Sequence, residues 1–391
     1  MIKKKIAIVA LHPSNYQVGI WKELSKVSSL ELTVFYLSDI GVKAVFDPEF
    51  GRYRTWNDIP LLEGHNYQFP RNFAKNTVGY GFFSRVNPGV LFLGRDYDVI
   101  LIHGYDTISM WLAFFSAKFF KKRLLWRGEV TNRQSLNTNS FKFFIKRILL
   151  KFMFKTCDSI LYSCTGNKKY ILNYTDARSK LIEIPCAVDN DYFNSRCRNN
   201  TPLSNDTKKN LEICENDFVI IFSARMSDRK RPMDLLQAIE SLKMDNVIAL
   251  FVGDGGNLDK MKSYTKKNKI NARFVGYKSQ GEISKYYSVA DIGVILSDYD
   301  PSPKSLNEMM NFSLPVIVTS VTGTSEDLVK HGINGYIVNS GDIKSISKYI
   351  KNLAIDRNLA RNMGKKSLEI VRGSTFVKDA IAIETASWID S

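Results

Sequence analysis

The chain has 391 residues, 44% hydrophobic and 24% charged. That is about twice the usual domain size and too apolar for a disordered chain. Lys and Arg number 55 against 39 Asp and Glu, a formal net charge of +16, so nucleic acid, an anionic membrane or a phosphorylated substrate is the expected kind of partner. The five cysteines (Cys157, Cys164, Cys186, Cys197 and Cys214) are scattered with no C-x-x-C pair, which fits reduced thiols in a cytosolic protein better than a disulfide framework or a zinc site.

The apolar run Ile6 to Leu11, behind Met1-Ile-Lys-Lys-Lys, is too short for a signal peptide and no small-residue cleavage site follows it. Lys5–Leu11 therefore reads as a first buried strand. Val18–Val27 suits a helix and Glu31–Leu37 a second strand. Residues 39–90 are rich in aromatic side chains and show no clean period. Asp98–His103 is a buried strand ending at a polar tip, and Leu124–Trp126, Asp158–Tyr162 and Lys180–Pro185 are further strands. The polar stretch 196–217, punctuated by Pro202, reads as a linker. The alternation then restarts, with strands at Phe218–Ser223, Val247–Val252, Arg273–Val275, Ile292–Leu296 and Val316–Thr319 and helical stretches between them. No segment reaches the roughly 20 apolar residues that span a bilayer. The expected architecture is α/β: two Rossmann-like, doubly wound domains facing across a cleft. They would comprise residues 1–195 and 196–374, with a C-terminal helix, 375–391, packing back onto the first. Ligands in such sheets bind beyond the carboxyl ends of the strands.

Two strand tips in the second half carry the chemistry. Phe218–Ser223 delivers Arg225, and Lys230 follows five residues later, just before a helix that Pro232 can start. Two fixed cations at a strand tip suit a diphosphate, although a solvated basic loop would look the same. After Ile292–Leu296 comes Ser297-Asp-Tyr-Asp300-Pro-Ser-Pro-Lys-Ser-Leu-Asn-Glu308. Ser302 can cap a helix whose first position is Pro303, leaving the backbone N–H groups around Lys304, Ser305 and Leu306 as an anion site. Asp300 before the helix and Glu308 within it could reach a sugar hydroxyl and a ribose.

Taken together, these segments resemble the retaining GT-B glycosyltransferases of family 4, the glycosyl transferases group 1. Arg225 and Lys230 match that family's Arg and Lys five apart. Val252 to Gly255 match its Val-Gly-Asp-Gly, and Val275-Gly276-Tyr277 its Val-Gly segment before the nucleotide-base contact. Pro303, Ser305, Leu306, Glu308 and Met310 fall in register with its E-x-F-P-x-S-L-x-E-A-M pattern, and Ile184 to Phe193 match its Ile-Pro-x-x-Val-Asp-x-x-x-Phe phrase. The likeness is close over the C-terminal half and loose over the N-terminal half. It implies that Arg225 and Lys230 bind the donor diphosphate, that Glu308 holds the ribose, that Asp300 contacts the transferred sugar, and that Gly253, Tyr277, Lys304, Ser305 and Leu306 complete the donor site. Asp300 stands where the family has Glu, one methylene longer.

In the N-terminal half, His103 occupies a strand end that in the family lies near the donor sugar. As a neutral imidazole it could hydrogen-bond the sugar hydroxyls or the phosphate, a catalytic contact with Asp300, Arg225 and Lys230, or else be a packed or capping histidine. Arg127-Gly128-Glu129 stands where relatives often have His-Gly. Arg127 and Glu129 are expected in an acceptor or donor-phosphate role, and Asn15 and Gly19 of the loop His12–Gly19 are expected to face the cleft. The implied reaction is displacement of a nucleoside diphosphate, UDP before GDP, with retention at the anomeric carbon. Charge on the leaving group would be met by Arg225, Lys230 and the helix N-terminus, so neither a metal nor a cofactor is expected. The triplets Asp96-Tyr-Asp98 and Asp298-Tyr-Asp300 resemble metal-binding ones. The first, however, precedes its strand, and the second belongs to the helix-entry pattern.

Ala113–Trp126 and Phe141–Lys155 interleave aromatic residues with Lys and Arg. Such helices suit an anionic membrane surface, or else a core face with a solvated basic side. The expected partners are a nucleotide-sugar donor, a glycan or lipid-linked acceptor, and the cytoplasmic face of the plasma membrane, with the protein peripheral to it. No nucleic-acid module is visible, so nucleic acid is not among them. The alternatives are a non-hydrolysing sugar-nucleotide epimerase of the same architecture and a non-catalytic subunit of a glycan-assembly complex. The D-x7-E pair favours the transferase.

Overall fold

The computed structural model describes residues 3–43, 45–47, 52–54, 60–75, 81–132, 141–199 and 201–389. The chain forms two compact units. One comprises Met1–Cys186 with Thr375–Ser391, and the other Ala187–Ser374.

The first unit is built on β1 (Lys4–Ala10), β2 (Leu30–Tyr36), the short pair β3 (Val45–Asp47) and β4 (Arg52–Arg54), β5 (Tyr67–Gln68), β6 (Val99–His103), β7 (Arg123–Gly128), β8 (Ser159–Tyr162) and β9 (Leu181–Glu183). Its seven-stranded sheet runs β5-β2-β1-β6-β7-β8-β9, parallel throughout, with β3 and β4 forming a separate antiparallel hairpin. The strands read as near-continuous apolar runs because helices cover both faces, and Ile6 to Ala10 and Val99 to Ile102 are all fully buried. The helix Phe376–Trp388 lies against the helix Asn15–Ser25. Gly19 sits inside the latter helix, directly beneath the Phe376 ring: a Cβ there would be 2.2 Å from a ring carbon. It is a packing glycine and not the cleft-loop residue expected of it.

The second unit carries β10 (Phe218–Ser223), β11 (Val247–Val252), β12 (Ala272–Phe274), β13 (Ile292–Ile295), β14 (Val316–Thr319) and β15 (Gly335–Val338), in the order β12-β11-β10-β13-β14-β15 and again wholly parallel. The polar stretch read as a linker is instead largely helical. Asn190–Asn199 and Thr201–Asn210 are helices packed on Gln280–Tyr287, the first also on Lys304–Asn311. Their buried contribution is narrow, chiefly Phe193 and Thr207, so the apolar stripe that marks a packed helix is almost missing from the sequence. β15 is a further strand, beyond those the apolar runs indicate.

In each sheet the strand order reverses once, between β1 and β6 in the first unit and between β10 and β13 in the second. Such a reversal splays the connections to opposite faces and opens a crevice at the carboxyl ends, where ligands bind. Among the described residues, no helix is long and apolar enough to cross a membrane.

Candidate active site

Both motif loops of the second unit leave strands that flank its reversal point. After β10, the chain bearing Arg225 is clamped to the loop after β11. Ala224 N–H donates to Val252 O at 3.2 Å, Met226 N–H to Asp254 O at 2.9 Å, and Asn257 N–H to Met226 O at 3.0 Å. This approach requires the motif glycines. Gly253 has φ +144° and Gly255 φ +151°, and a Cβ on them would lie 2.0 Å from Ala224 O and 2.6 Å from Met226 O. Gly253 N–H also donates to the carbonyl of Gly276, at 2.9 Å, next to the partly exposed Tyr277.

The next residues zip onto the loop that follows β13. Asp298 N–H donates to Arg229 O at 2.9 Å, and the Arg229 guanidinium returns a bond to Tyr299 O at 2.7 Å. Lys230 Nζ is ion-paired and hydrogen-bonded to Asp300 Oδ2, with both side chains largely buried. Arg231 grips Asp234 through two bonds of 2.6 and 3.1 Å and reaches Asp298 at 3.3 Å. Burial pushes the Asp234 carboxyl up and the Arg231 bonds oppose that; the same bonds raise Arg231. The third loop, after β14, is tied in by Gly323 N–H donating to Asp300 O at 2.8 Å. The structure thus couples two residues to which separate partners were assigned. Asp300, expected to face a sugar, holds Lys230, expected to face a diphosphate.

The helix Lys304–Asn311 begins one residue later than expected. Its N-cap is Pro303, with ψ 109°, and Ser302 makes no cap bond; its hydroxyl accepts from Lys304 Nζ at 2.9 Å. A residue before proline is pushed out of helical geometry, so Ser302 stays outside the helix; of the first-turn N–H groups expected to meet an anion, that of Leu306 instead donates to the Pro303 carbonyl at 3.0 Å. The helix sinks into the unit on Leu306, Met309 and Met310, with Met309 packed over Gly293 of β13, where a Cβ would be 2.3 Å from its sulfur. That burial carries Glu308 inward to 3% exposure. The Tyr287 hydroxyl donates to Glu308 Oε2 at 2.8 Å and lies 3.1 Å from Ser223 Oγ, the last residue of β10.

Sequence reasoning missed Tyr287 and Ser223. The capping box Ser279/Glu282 announces the helix Gln280–Tyr287, but not where its last hydroxyl points. Tyr287→Phe should cost this unit about 1.5–3 kcal/mol, the worth of a hydrogen bond to a charged group, with no gross change of fold. Chemical denaturation of the two proteins side by side measures it.

In the first unit, β6 and β7 place His103 and Arg127 as register partners. Arg127 is 1% exposed; its Nη1 donates to His103 Nε2 at 3.0 Å, and Nη2 lies 3.5 Å from Glu129 Oε1. The other ring nitrogen of His103 is 2.8 Å from the Gln17 amide. Both nitrogens are therefore engaged by protein groups, and the hydrogen bond to a sugar expected of His103 would require one of these contacts to break. Asn15 opens the helix that carries Gln17. Among the described residues, no three His, Cys, Asp or Glu side chains converge as metal ligands would. Of the two Asp triplets, Asp98 accepts from Lys5 N–H at 3.0 Å and pairs with Lys122, while Asp298 pairs with Arg231.

Comparison with known proteins agrees with this geometry. Residues 204–369 match the family described as Glycosyl transferases group 1. The N-acetyl-alpha-D-glucosaminyl L-malate synthase of Bacillus anthracis is 28% identical over 165 residues, 42% of this chain and 43% of that protein. The capsular polysaccharide biosynthesis glycosyltransferase CapM of Staphylococcus aureus is 25% identical over 256 residues, 63% of this chain and 66% of that protein. Against the Bacillus anthracis synthase and the spore coat protein SA of Bacillus subtilis, the chain spans about half of each relative's length, 43% and 54%. The crystal structure of Anabaena HepE in complex with UDP superposes with a TM-score of 0.76 at 15% identity, covering 99% of this chain and 100% of that one, which establishes a shared fold. The chain has the GT-B fold, and its residues 204–369 match the glycosyl transferases group 1 family.

Proposed function

We propose that the protein transfers a sugar from a nucleoside-diphosphate sugar, UDP-linked, to a glycan or lipid-linked glycan acceptor in the assembly of a surface polysaccharide, with retention and without a metal. The observation that carries this reading is the convergence at the β10/β13 reversal of the Lys230–Asp300 pair with the buried, hydroxyl-anchored Glu308. A cation, a carboxylate pair and a helix N-terminus at one strand-end crevice match the three parts of a nucleotide sugar: diphosphate, sugar and ribose. Support for UDP comes from HepE, whose crystal structures are complexes with UDP and with UDP-glucose, and support for polysaccharide from the name of CapM.

In the proposed reaction, the acceptor oxygen bonds to the anomeric carbon as the bond from that carbon to the diphosphate oxygen breaks. The bonding pair leaves with the diphosphate, which also takes up the acceptor's proton. Arg225, Lys230 and the helix N-terminus at Lys304 and Ser305 stabilise the departing charge, the role a metal would otherwise fill. The test is a panel of nucleotide sugars offered with and without glycan acceptors, in buffer containing EDTA. Release of nucleoside diphosphate with extension of the acceptor supports the proposal. Conversion of the nucleotide sugar without an acceptor would replace it with epimerase chemistry, and loss of transfer in EDTA would remove metal independence.

The same proposal places the protein on the cytoplasmic face of an anionic membrane. The helix Phe141–Thr156 buries Leu150, Met153 and Phe154, yet its outer face exposes Phe141 (75%), Phe144, Ile148 and Phe152 among Lys146, Arg147 and Lys151. Phe115 and Phe119 (80% exposed) of the helix Ile108–Phe119 add to that surface, since Phe114 and Phe152 are in edge contact at 5.6 Å. A solvated basic side alone would not leave so many rings exposed. Flotation with phosphatidylglycerol vesicles at low salt should recover the protein, and replacing Phe144 and Ile148 with Ser should weaken partitioning at least about tenfold, since burying each is worth about 1.5–3 kcal/mol. Equal flotation of both proteins would remove the membrane from the proposal.

A further inference from the structure

We infer that Gln17 is a positioning residue: it holds His103 as the neutral Nδ1–H tautomer, so that His103 Nε2 accepts from the buried Arg127 guanidinium and orients it.

The inference follows from donor and acceptor accounting. A guanidinium N–H can only donate. Arg127 Nη1 stands 3.0 Å from His103 Nε2, so Nε2 carries the lone pair and, in the neutral ring, the proton is on Nδ1. An imidazolium would set N–H against N–H at this contact. The Nδ1 proton then needs an acceptor, and the group 2.8 Å away is the terminal amide of Gln17. With its nitrogen toward the ring, that amide would oppose one donor with another and leave its own carbonyl oxygen buried without a hydrogen bond. Turning the amide by half a turn removes the donor–donor conflict, because the carbonyl then accepts from Nδ1–H, and moves the amide nitrogen to the buried position that the oxygen held. The order is Gln17 C=O, Nδ1–H of His103, Nε2 of His103, N–H of Arg127.

Topology makes this more than a local contact. Gln17 follows β1, His103 ends β6 and Arg127 belongs to β7, three adjacent strands, with the β1/β6 reversal between the first two. The chain of bonds therefore lies at the carboxyl end of the sheet, where ligands bind. Arg127 is a nearly buried cation. Its other partner, Glu129, is 3.5 Å away and 27% exposed, and its Nε has no hydrogen-bond partner. A buried guanidinium needs fixed acceptors to hold one orientation. His103 supplies one only while Nε2 is unprotonated, and Gln17 is what makes the Nδ1–H state fully satisfied. His103 thus serves Arg127, not a sugar hydroxyl directly.

The tautomer does not depend on the proposed reaction; only its effect on transfer rests on that reading. The chain has four histidines, so ¹⁵N correlation spectra of the ring nitrogens are tractable, and His103 is assigned by the signal lost in His103→Gln. At neutral pH the expected spectrum for His103 is an Nδ1-bound proton with Nε2 of pyridine type. Gln17→Leu should speed solvent exchange of that proton while leaving Nε2 unprotonated. Gln17→Glu, which puts a carboxylate against Nδ1–H, should drive the ring toward the doubly protonated form. In transfer assays Gln17→Leu should lower kcat/KM about three- to tenfold, the worth of one hydrogen bond. A proton on Nε2 in the unsubstituted protein, or a doubly protonated ring, overturns the inference whatever the kinetics. The expected tautomer in a protein that transfers no sugar to any acceptor would leave the inference standing and defeat the proposed function alone.

Discussion

Lys230→Ala should slow sugar transfer about 100- to 1000-fold, the usual consequence of removing one preorganised charge partner of a leaving group. The same substitution should also destabilise the second unit. Asp300 is 6% exposed and its carboxylate is held by Lys230. Removing one partner of a buried ion pair strands the other, at a cost of about 3–5 kcal/mol. The two effects separate in a double substitution. Asp300→Asn added to Lys230→Ala removes the stranded charge, so thermal stability should largely return while transfer stays low. Asp300→Asn alone keeps the Lys230 cation and should leave nucleoside-diphosphate affinity within about threefold while reducing transfer, and the double substitution measures how far the two contacts couple. Isothermal titration with UDP, melting curves and transfer rates on the four proteins complete the cycle. Equal UDP affinity in Lys230→Ala and the unsubstituted protein would remove Lys230 from the diphosphate site.

The reach of the sequence follows from which forces act on each segment. Strands buried on both faces need unbroken apolar runs, so Phe218–Ser223, Val247–Val252 and Val316–Thr319 were bounded to the residue. The helices at 190–210 bury too little to leave a period, and their composition reads as a linker. At the site, motif spacing brought Arg225, Lys230, Asp300 and Glu308 to two strand tips flanking one reversal point. What spacing does not encode is side-chain pairing across loops. Lys230 meets Asp300 because residues 229–231 zip against 298–300, and Tyr287 reaches Glu308 because of how one helix end packs. His103 shows the same limit more sharply. Its strand-end position is visible in the sequence, but its partners depend on the β6/β7 register and on the helix after β1.

Gly253→Ala should be the most damaging single methyl in the donor loop, costing about 3–5 kcal/mol from steric overlap and backbone strain together. At φ +144° an L side chain is already disfavoured, and the new Cβ would sit 2.0 Å from the carbonyl oxygen of Ala224. A flexible side chain could swing away from such a contact; a carbonyl held in the strand-tip loop cannot move without dragging Arg225 with it. Relief would also strain the bond from Gly253 N–H to Gly276 O, beside Tyr277. Stability and UDP binding should therefore fall together. Gly256→Ala is the matched control three positions on: a Cβ there meets nothing within 4 Å, so it should change stability by no more than about 0.5 kcal/mol. Denaturation of the two variants, followed by UDP titration on whichever remains folded, tests the pair. If Gly253→Ala proved as benign as Gly256→Ala, the loop that carries Arg225 would not be clamped to the β11 loop, and the conformational basis assigned to the Val-Gly-Asp-Gly motif would fail with it.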